Sequence, residues 1–178
     1  METFTNIKDF VNASSFHEKR LKSSKILDYS SIDEPILDII IKFSELDYCF
    51  TLQSCYGHFL YNHQKDPNNL ELLPRMERNV KVEYRIAYIV ICIENSHLGL
   101  SLFDAFKEIP FIDKEYIQFG CADWFWERYS NSFALQVEPE RHMRRDRLFV
   151  DYREALHIQE VRGYFFDKMR ELLKRQKI

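Results

Sequence analysis

The run from Val82 to Glu94 sets the strongest constraint on what this chain can become. Tyr84, Ile86, Tyr88, Val90 and Cys92 alternate with Arg85, Ala87, Ile89 and Ile91, so one face is apolar throughout and the other turns apolar toward the end. Such a strand lies inside a sheet and is covered on both sides over its second half. Around it the elements read helix, helix, hairpin, strand, helix, two strands, helix. That order has no strict βαβ rhythm, so the expectation is an α+β fold, a mixed, largely antiparallel sheet with helices packed on it.

The flanking elements follow from local chemistry. The first thirty residues read as one or two short helices, with Phe10, Val11, Phe16 and Leu21 set among charges and Asn12-Ala-Ser-Ser15 as a break. Ser31-Ile-Asp-Glu34 fits a capping box, and Pro35 lies early enough in the following helix to be tolerated. Ile36, Leu37, Ile40 and Phe43 then share one helical face, and the helix should end near Leu46. Tyr48–Leu52 and Phe59–Tyr61 read as two strands of a hairpin with Ser54-Cys-Tyr-Gly57 as its turn, where Gly57 can take a positive φ. Residues 64–75 carry loop chemistry. Helices are expected over Ser96–Ile109, with Leu98, Leu102, Phe103 and Phe106 inward, and from about Tyr152 to Lys174, with Ala155, Ile158, Val161, Phe165, Met169 and Leu172 on one stripe. Ile117–Ala122 and Ser132–Val137 read as strands.

Composition bounds the classes of function. At 178 residues and 46% hydrophobic content the chain, residues 1–178, is expected to form a single domain with its own core. The net charge of −3 argues against attachment to nucleic acid or membrane by bulk electrostatics, so a polyanion would have to use a local patch. No stretch reaches the roughly 20 apolar residues of a membrane span, and the first residues lack the pattern of a signal peptide, so a cytoplasmic protein is expected. Gly57, Gly99, Gly120 and Gly163 are too far apart for a P-loop or a dinucleotide-binding turn. Any nucleotide or S-adenosylmethionine must therefore sit on another framework. Cys49, Cys55, Cys92 and Cys121 do not resemble a secreted disulfide framework, and free, mostly buried thiols are expected.

Chemistry concentrates in Tyr48 to His58. Backbone N–H groups around Ser54 to Gly57 could form an anion-binding nest, with the Ser54 hydroxyl and His58 ring aimed at a ligand; the competing reading is a plain turn with a buried Cys. His58 could serve as a base. Cys49, Cys55, His58 and His63 are ligand types for zinc, but their spacing matches no common site, and structural thiols are preferred over a metal. Glu140-Arg-His-Met-Arg-Arg-Asp-Arg147 could contact phosphates, though a solvated, partly neutralised loop is the favoured reading. Trp124-Phe-Trp126 and Tyr129 could stack on a base or cap the core, and capping carries more weight. His157 and Arg162 could face the sheet or solvent, and periodicity does not decide.

Phe16 and Lys19, then Ile32-Asp33-Glu34, then Phe50-Thr-Leu-Gln-Ser54-Cys55-Tyr-Gly57-His58 follow one another in an order and spacing that resembles the tRNA wybutosine-synthesising methyltransferase family. The resemblance covers about a quarter of the chain, with Thr51, Ser54, Cys55 and Gly57 on family positions. The family's terminal Arg is His58 here, two of its serines are Gln53 and Tyr56, and its His-Val segment on a later strand has no counterpart. The resemblance implies an α+β fold and S-adenosylmethionine-dependent methyl transfer to a modified guanosine in tRNA, at a site built around the Ser-Cys-x-Gly turn. On that basis Thr51, Ser54, Cys55 and Gly57 are candidate cofactor contacts and Ser54 and His58 candidate catalytic residues. Lys19, Asp33, Arg144 and Arg145 are candidate substrate contacts. The other expectation is a module without chemistry that uses the same cleft for a small molecule or a partner; a scaffold or oligomer whose aromatic excess serves an interface is a third. The sequence does not give the oligomeric state.

Overall fold

A computed structural model describes residues 4–75, 80–142 and 146–176. Its strands are β1 (Phe4–Thr5), β2 (Cys49–Cys55), β3 (His58–Leu60), β4 (Lys81–Arg85), β5 (Ala87–Ile93), β6 (Ile117–Ala122), β7 (Ser132–Val137) and β8 (Arg147–Asp151). Its helices are α1 (Phe16–Ile26), α2 (Leu37–Glu45), α3 (His97–Phe106), α4 (Asp123–Arg128) and α5 (Tyr152–Arg175). The fold is α+β, in two sheets: one of five strands in the order β1-β6-β7-β5-β2 and one of three in the order β3-β4-β8. Every pairing among the described strands is antiparallel, in keeping with the largely antiparallel sheet expected.

The sequence stretch 82–94 is a strand, but one divided between the two sheets. Its first part, β4, pairs with β3 and β8, and its second, β5, with β2 and β7. The break falls at Ile86, whose amide leaves the ladder to donate to the Asp146 carbonyl. A matching break separates β2 from β3 at Tyr56-Gly57. The two segments thus run antiparallel past a shared corner, with Cys55 opposite Tyr88 on one side and His58 opposite Arg85 on the other. This corrects the hairpin expectation: β2 and β3 do not pair, and Gly57 bends one strand from sheet to sheet. Its φ is +90°, and a Cβ there would lie 2.8 Å from Ala87 Cβ, so both conformation and space demand glycine.

A shared core lies between the sheets and α2, α3 and α5. The α5 stripe runs as expected, with Ala155, Ile158, Val161, Phe165, Met169 and Leu172 all buried. Each large apolar chain buried there contributes roughly 1.5–3 kcal/mol. In α3, Leu102, Phe103 and Phe106 are buried, while Leu98 is exposed. The opposite face of the large sheet is covered by Phe16 of α1 and Phe125 of α4.

Two expectations fail for local reasons. Among the described N-terminal residues, Phe10 and Val11, expected to be helical, lie outside any helix after β1, which pairs with β6, and α1 begins only at Phe16. Arg147, the last residue of the segment read as a solvated loop, instead opens an edge strand, Arg147–Asp151, whose Arg147, Phe149 and Asp151 face outward while Leu148 and Val150 are buried. Among the described residues no helix is long and apolar enough to cross a membrane. All four cysteines are free, and Cys49, Cys92 and Cys121 are buried.

Candidate functional site

The corner gathers the chemistry. Asp33 had been read as part of a capping box, but its side chain makes no cap bond. Asp33 instead reaches across to the corner, where Oδ2 accepts from the Tyr56 amide at 2.7 Å and lies 3.4 Å from His58 Nε2. On the other side of the ring, His58 Nδ1 is 3.1 Å from the Asn69 carbonyl. A carbonyl only accepts, so Nδ1 carries the proton and donates. Cys55 Sγ accepts from the Gly57 amide at 3.4 Å. One ligand-type atom from each of Asp33, Cys55 and His58 lies within 4.8 Å of the others.

The charges settle accordingly. Asp33 beside the ring, and Cys55 after it, push the His58 pKa up to about 10 against the opposing effect of burial. Burial acts to raise the Asp33 carboxyl, but the His58 contact and the Tyr56 amide outweigh it and hold its pKa below the ordinary 3.8. At neutral pH His58 is thus an imidazolium facing a carboxylate, which makes it a donor and not the base considered from sequence.

Arg162 closes the corner from α5. It is 1% exposed, its Nη1 donates to the Gly57 carbonyl at 2.7 Å, and its guanidinium lies 3.9 Å from the Tyr56 ring centroid and 5.0 Å from that of Phe59. Among the described residues its Nε and Nη2 have no hydrogen-bond partner, and burial lowers its pKa. Nearby, Tyr84 is fully buried, accepts from the Ala87 amide at 2.9 Å and donates to the Val137 carbonyl at 3.0 Å, tying the two sheets together.

Beside the corner lies an open pocket of about 190 Å³ along the free edge of β2. Thr51 and Ser54 line it together with Ile40 of α2 and Ser31 and Ile32, the residues just before Asp33. The sequence candidates therefore fall in two groups: Thr51 and Ser54 on the pocket wall, and Asp33, Cys55 and His58 at the corner. Gly57 shapes the backbone and is buried.

Other candidates are engaged elsewhere. Lys19 donates to the Arg128 carbonyl at 2.8 Å and lies over the Tyr129 ring. Arg144 and Arg145 fall outside the described residues. Arg141 pairs with Glu115 and Glu154, and Arg147 with Glu83. Phe125 is buried, Trp126 packs on Phe133, and only Trp124 is exposed, so these rings chiefly cap the core. Cys49 is buried against the Phe43 carbonyl and His63 is exposed, so neither joins the corner cluster. Arg162 and Asn69 were not identified as site residues from sequence.

No family model and no curated protein sequence matches the chain. Among solved structures it is similar to the PH1069 protein from Pyrococcus horikoshii, at 14% identity and a TM-score of 0.48 over 89% of this chain and 91% of that one. It is also similar to a hypothetical protein from Aeropyrum pernix, at 11% identity and a TM-score of 0.42 over 80% of this chain and 98% of that one. At these scores neither likeness bears on function.

Proposed function

We propose that this chain is a divergent tRNA wybutosine methyltransferase-like protein of the cytoplasm whose pocket on the β2 edge receives S-adenosylmethionine or a nucleoside. The observation that supports this reading is the convergence of Thr51 and Ser54 on one open pocket, with Asp33 and Cys55 of the corner cluster next in the chain to the lining residues Ile32 and Ser54. The pocket, at about 190 Å³, is smaller than the ~300–1,000 Å³ of usual small-molecule sites, so it would hold one end of such a ligand and leave the rest across the surface. Methyl transfer asks chiefly for alignment of donor and acceptor. Contact with tRNA would fall to Arg144 and Arg145.

One observation favours a second reading, a small-molecule-binding module without chemistry. His58 is held as a buried cation by Asp33 and is not free to take a proton. Thermal unfolding with and without S-adenosylmethionine tests the first reading. Saturation at 100 times Kd adds about 2.7 kcal/mol of stability, and Ser54→Ala combined with Thr51→Val should reduce that gain while leaving the melting temperature of the free protein nearly unchanged. No shift at millimolar S-adenosylmethionine rejects that ligand; a shift unchanged in the double variant moves the site elsewhere.

A further inference from the structure

We propose that Asp33, Cys55 and His58 form a three-ligand site for a divalent transition metal of the zinc type. The three side chains come from two separate parts of the chain, a turn before α2 and the sheet-to-sheet corner, and present one oxygen, one sulfur and one nitrogen within 4.8 Å of one another. Closing such atoms onto an ion needs only side-chain adjustment.

Three features of the cluster go beyond proximity. First, His58 Nε2 and Asp33 Oδ2 stand 3.4 Å apart. Two ligands on one tetrahedral zinc with bonds near 2.0–2.1 Å are separated by about 3.4 Å. Second, the Nδ1–H bond to the Asn69 carbonyl fixes the ring so that Nε2 points at the cluster. This is the backing that metal-bound histidines commonly have. Third, the other two ligands are also backed by main chain: the Tyr56 amide donates to Asp33 and the Gly57 amide to Cys55 Sγ.

The donor set selects the ion. A thiolate and an imidazole exclude magnesium and calcium, which take oxygen ligands. One sulfur, one nitrogen and one oxygen suit zinc or its spectroscopic substitute cobalt. Three protein ligands leave one tetrahedral position for water or an external ligand. Binding releases the His58 Nε2 proton and the Cys55 thiol proton to solvent, so metal and protons compete for the same atoms. The site does not depend on S-adenosylmethionine being the ligand of the adjacent pocket.

The full-length chain, stripped with a chelator and titrated with Zn(II) against a chromophoric competitor, should take up one equivalent, with affinity at least tenfold weaker in Cys55→Ser and in His58→Gln. Co(II) should give a thiolate-to-cobalt charge-transfer band in the wild type that Cys55→Ser abolishes. Absence of stoichiometric Zn(II) uptake, or uptake unaffected by both substitutions, overturns the proposal. Should the variants fail to fold, the wild-type Co(II) spectrum decides, because a spectrum without the charge-transfer band excludes Cys55 as a ligand. The titration contains no S-adenosylmethionine, so its failure and the failure of the pocket reading are separate results.

Discussion

The two halves of β2 present the same sheet edge in opposite states. Along Cys49 to Thr51 the edge is closed: α1 lies beside it, Arg20 donates to the carbonyls of Ser44, Leu46 and Cys49, and the Ser23 hydroxyl donates to that of Thr51. What space remains there is about 20 Å³, room for a water and little else. Beyond Thr51 the register shifts by a bulge, α1 has ended at Ile26, and the edge opens into the pocket of about 190 Å³. Unpaired strand edges are a liability that proteins usually cover. Here one half is covered by a helix with dedicated donors, and the other leads to a cluster of a carboxylate, a thiol and an imidazole. The difference separates support from site within seven residues.

The strongest way to break the open half is at its bend. Gly57→Val adds a branched side chain where φ is +90° and the Cβ already meets Ala87 at 2.8 Å. Backbone strain of about 1–3 kcal/mol and overpacking of about 1–3 kcal/mol together predict a loss near 4 kcal/mol in urea unfolding. A loss below about 1 kcal/mol would mean that the corner relaxes freely and does not fix the positions of Cys55 and His58.

The closed half breaks at Arg20. Arg20→Ala removes the donor shared by three main-chain carbonyls, and hydrogen bonds from a charged group contribute about 1.5–3 kcal/mol. A loss of about 2–3 kcal/mol is expected, with only partial recovery in Arg20→Lys, because an ammonium cannot reproduce the planar fork. An unchanged unfolding midpoint would show that water replaces the guanidinium and that helix α1 alone seals the edge.

How much of this contrast was legible in the sequence follows from how local each cause is. The α5 stripe was readable because one buried face repeats at helical spacing over the whole helix. The strand at 82–94 was readable too, but its break at Ile86 was not, since the alternation passes through the break undisturbed. Gly57 was correctly read as a residue of positive φ and wrongly placed in a hairpin turn. The same conformation serves a sheet-to-sheet corner, and only the pairing of β3 with β4 distinguishes them. The edge strand β8 was hidden because three of its five residues, Arg147, Phe149 and Asp151, are exposed. At the site, Thr51, Ser54, Cys55 and His58 lie on one short segment and were visible together. Arg162 and Asn69 act on that segment from 105 and 11 residues away, through contacts that no periodicity encodes.

The smallest effect is also the one that tells the two halves apart by pH. Asp33→Asn keeps an oxygen to accept from the Tyr56 amide and removes the charge facing His58. The folded pKa of His58, about 10, lies above its ordinary 6.5, so its stabilisation is complete below pH 6.5 and fades as pH rises toward 10. That of Asp33 lies below 3.8, so its share is present above that value and is lost on further acidification. In chelator-treated protein the stability gap between wild type and Asp33→Asn should therefore be greatest from about pH 4 to 6.5, on the order of 1–2 kcal/mol for one charge-assisted contact, and should shrink by pH 10. The gap between wild type and Arg20→Ala, whose guanidinium binds main-chain carbonyls and also lies 3.0 Å from the exposed Asp47 carboxylate, should not shrink between pH 6.5 and 10. A gap for Asp33→Asn that likewise does not shrink would mean that the carboxylate holds the corner by its hydrogen bond to Tyr56 alone, and that the open half of β2 is built like the closed one.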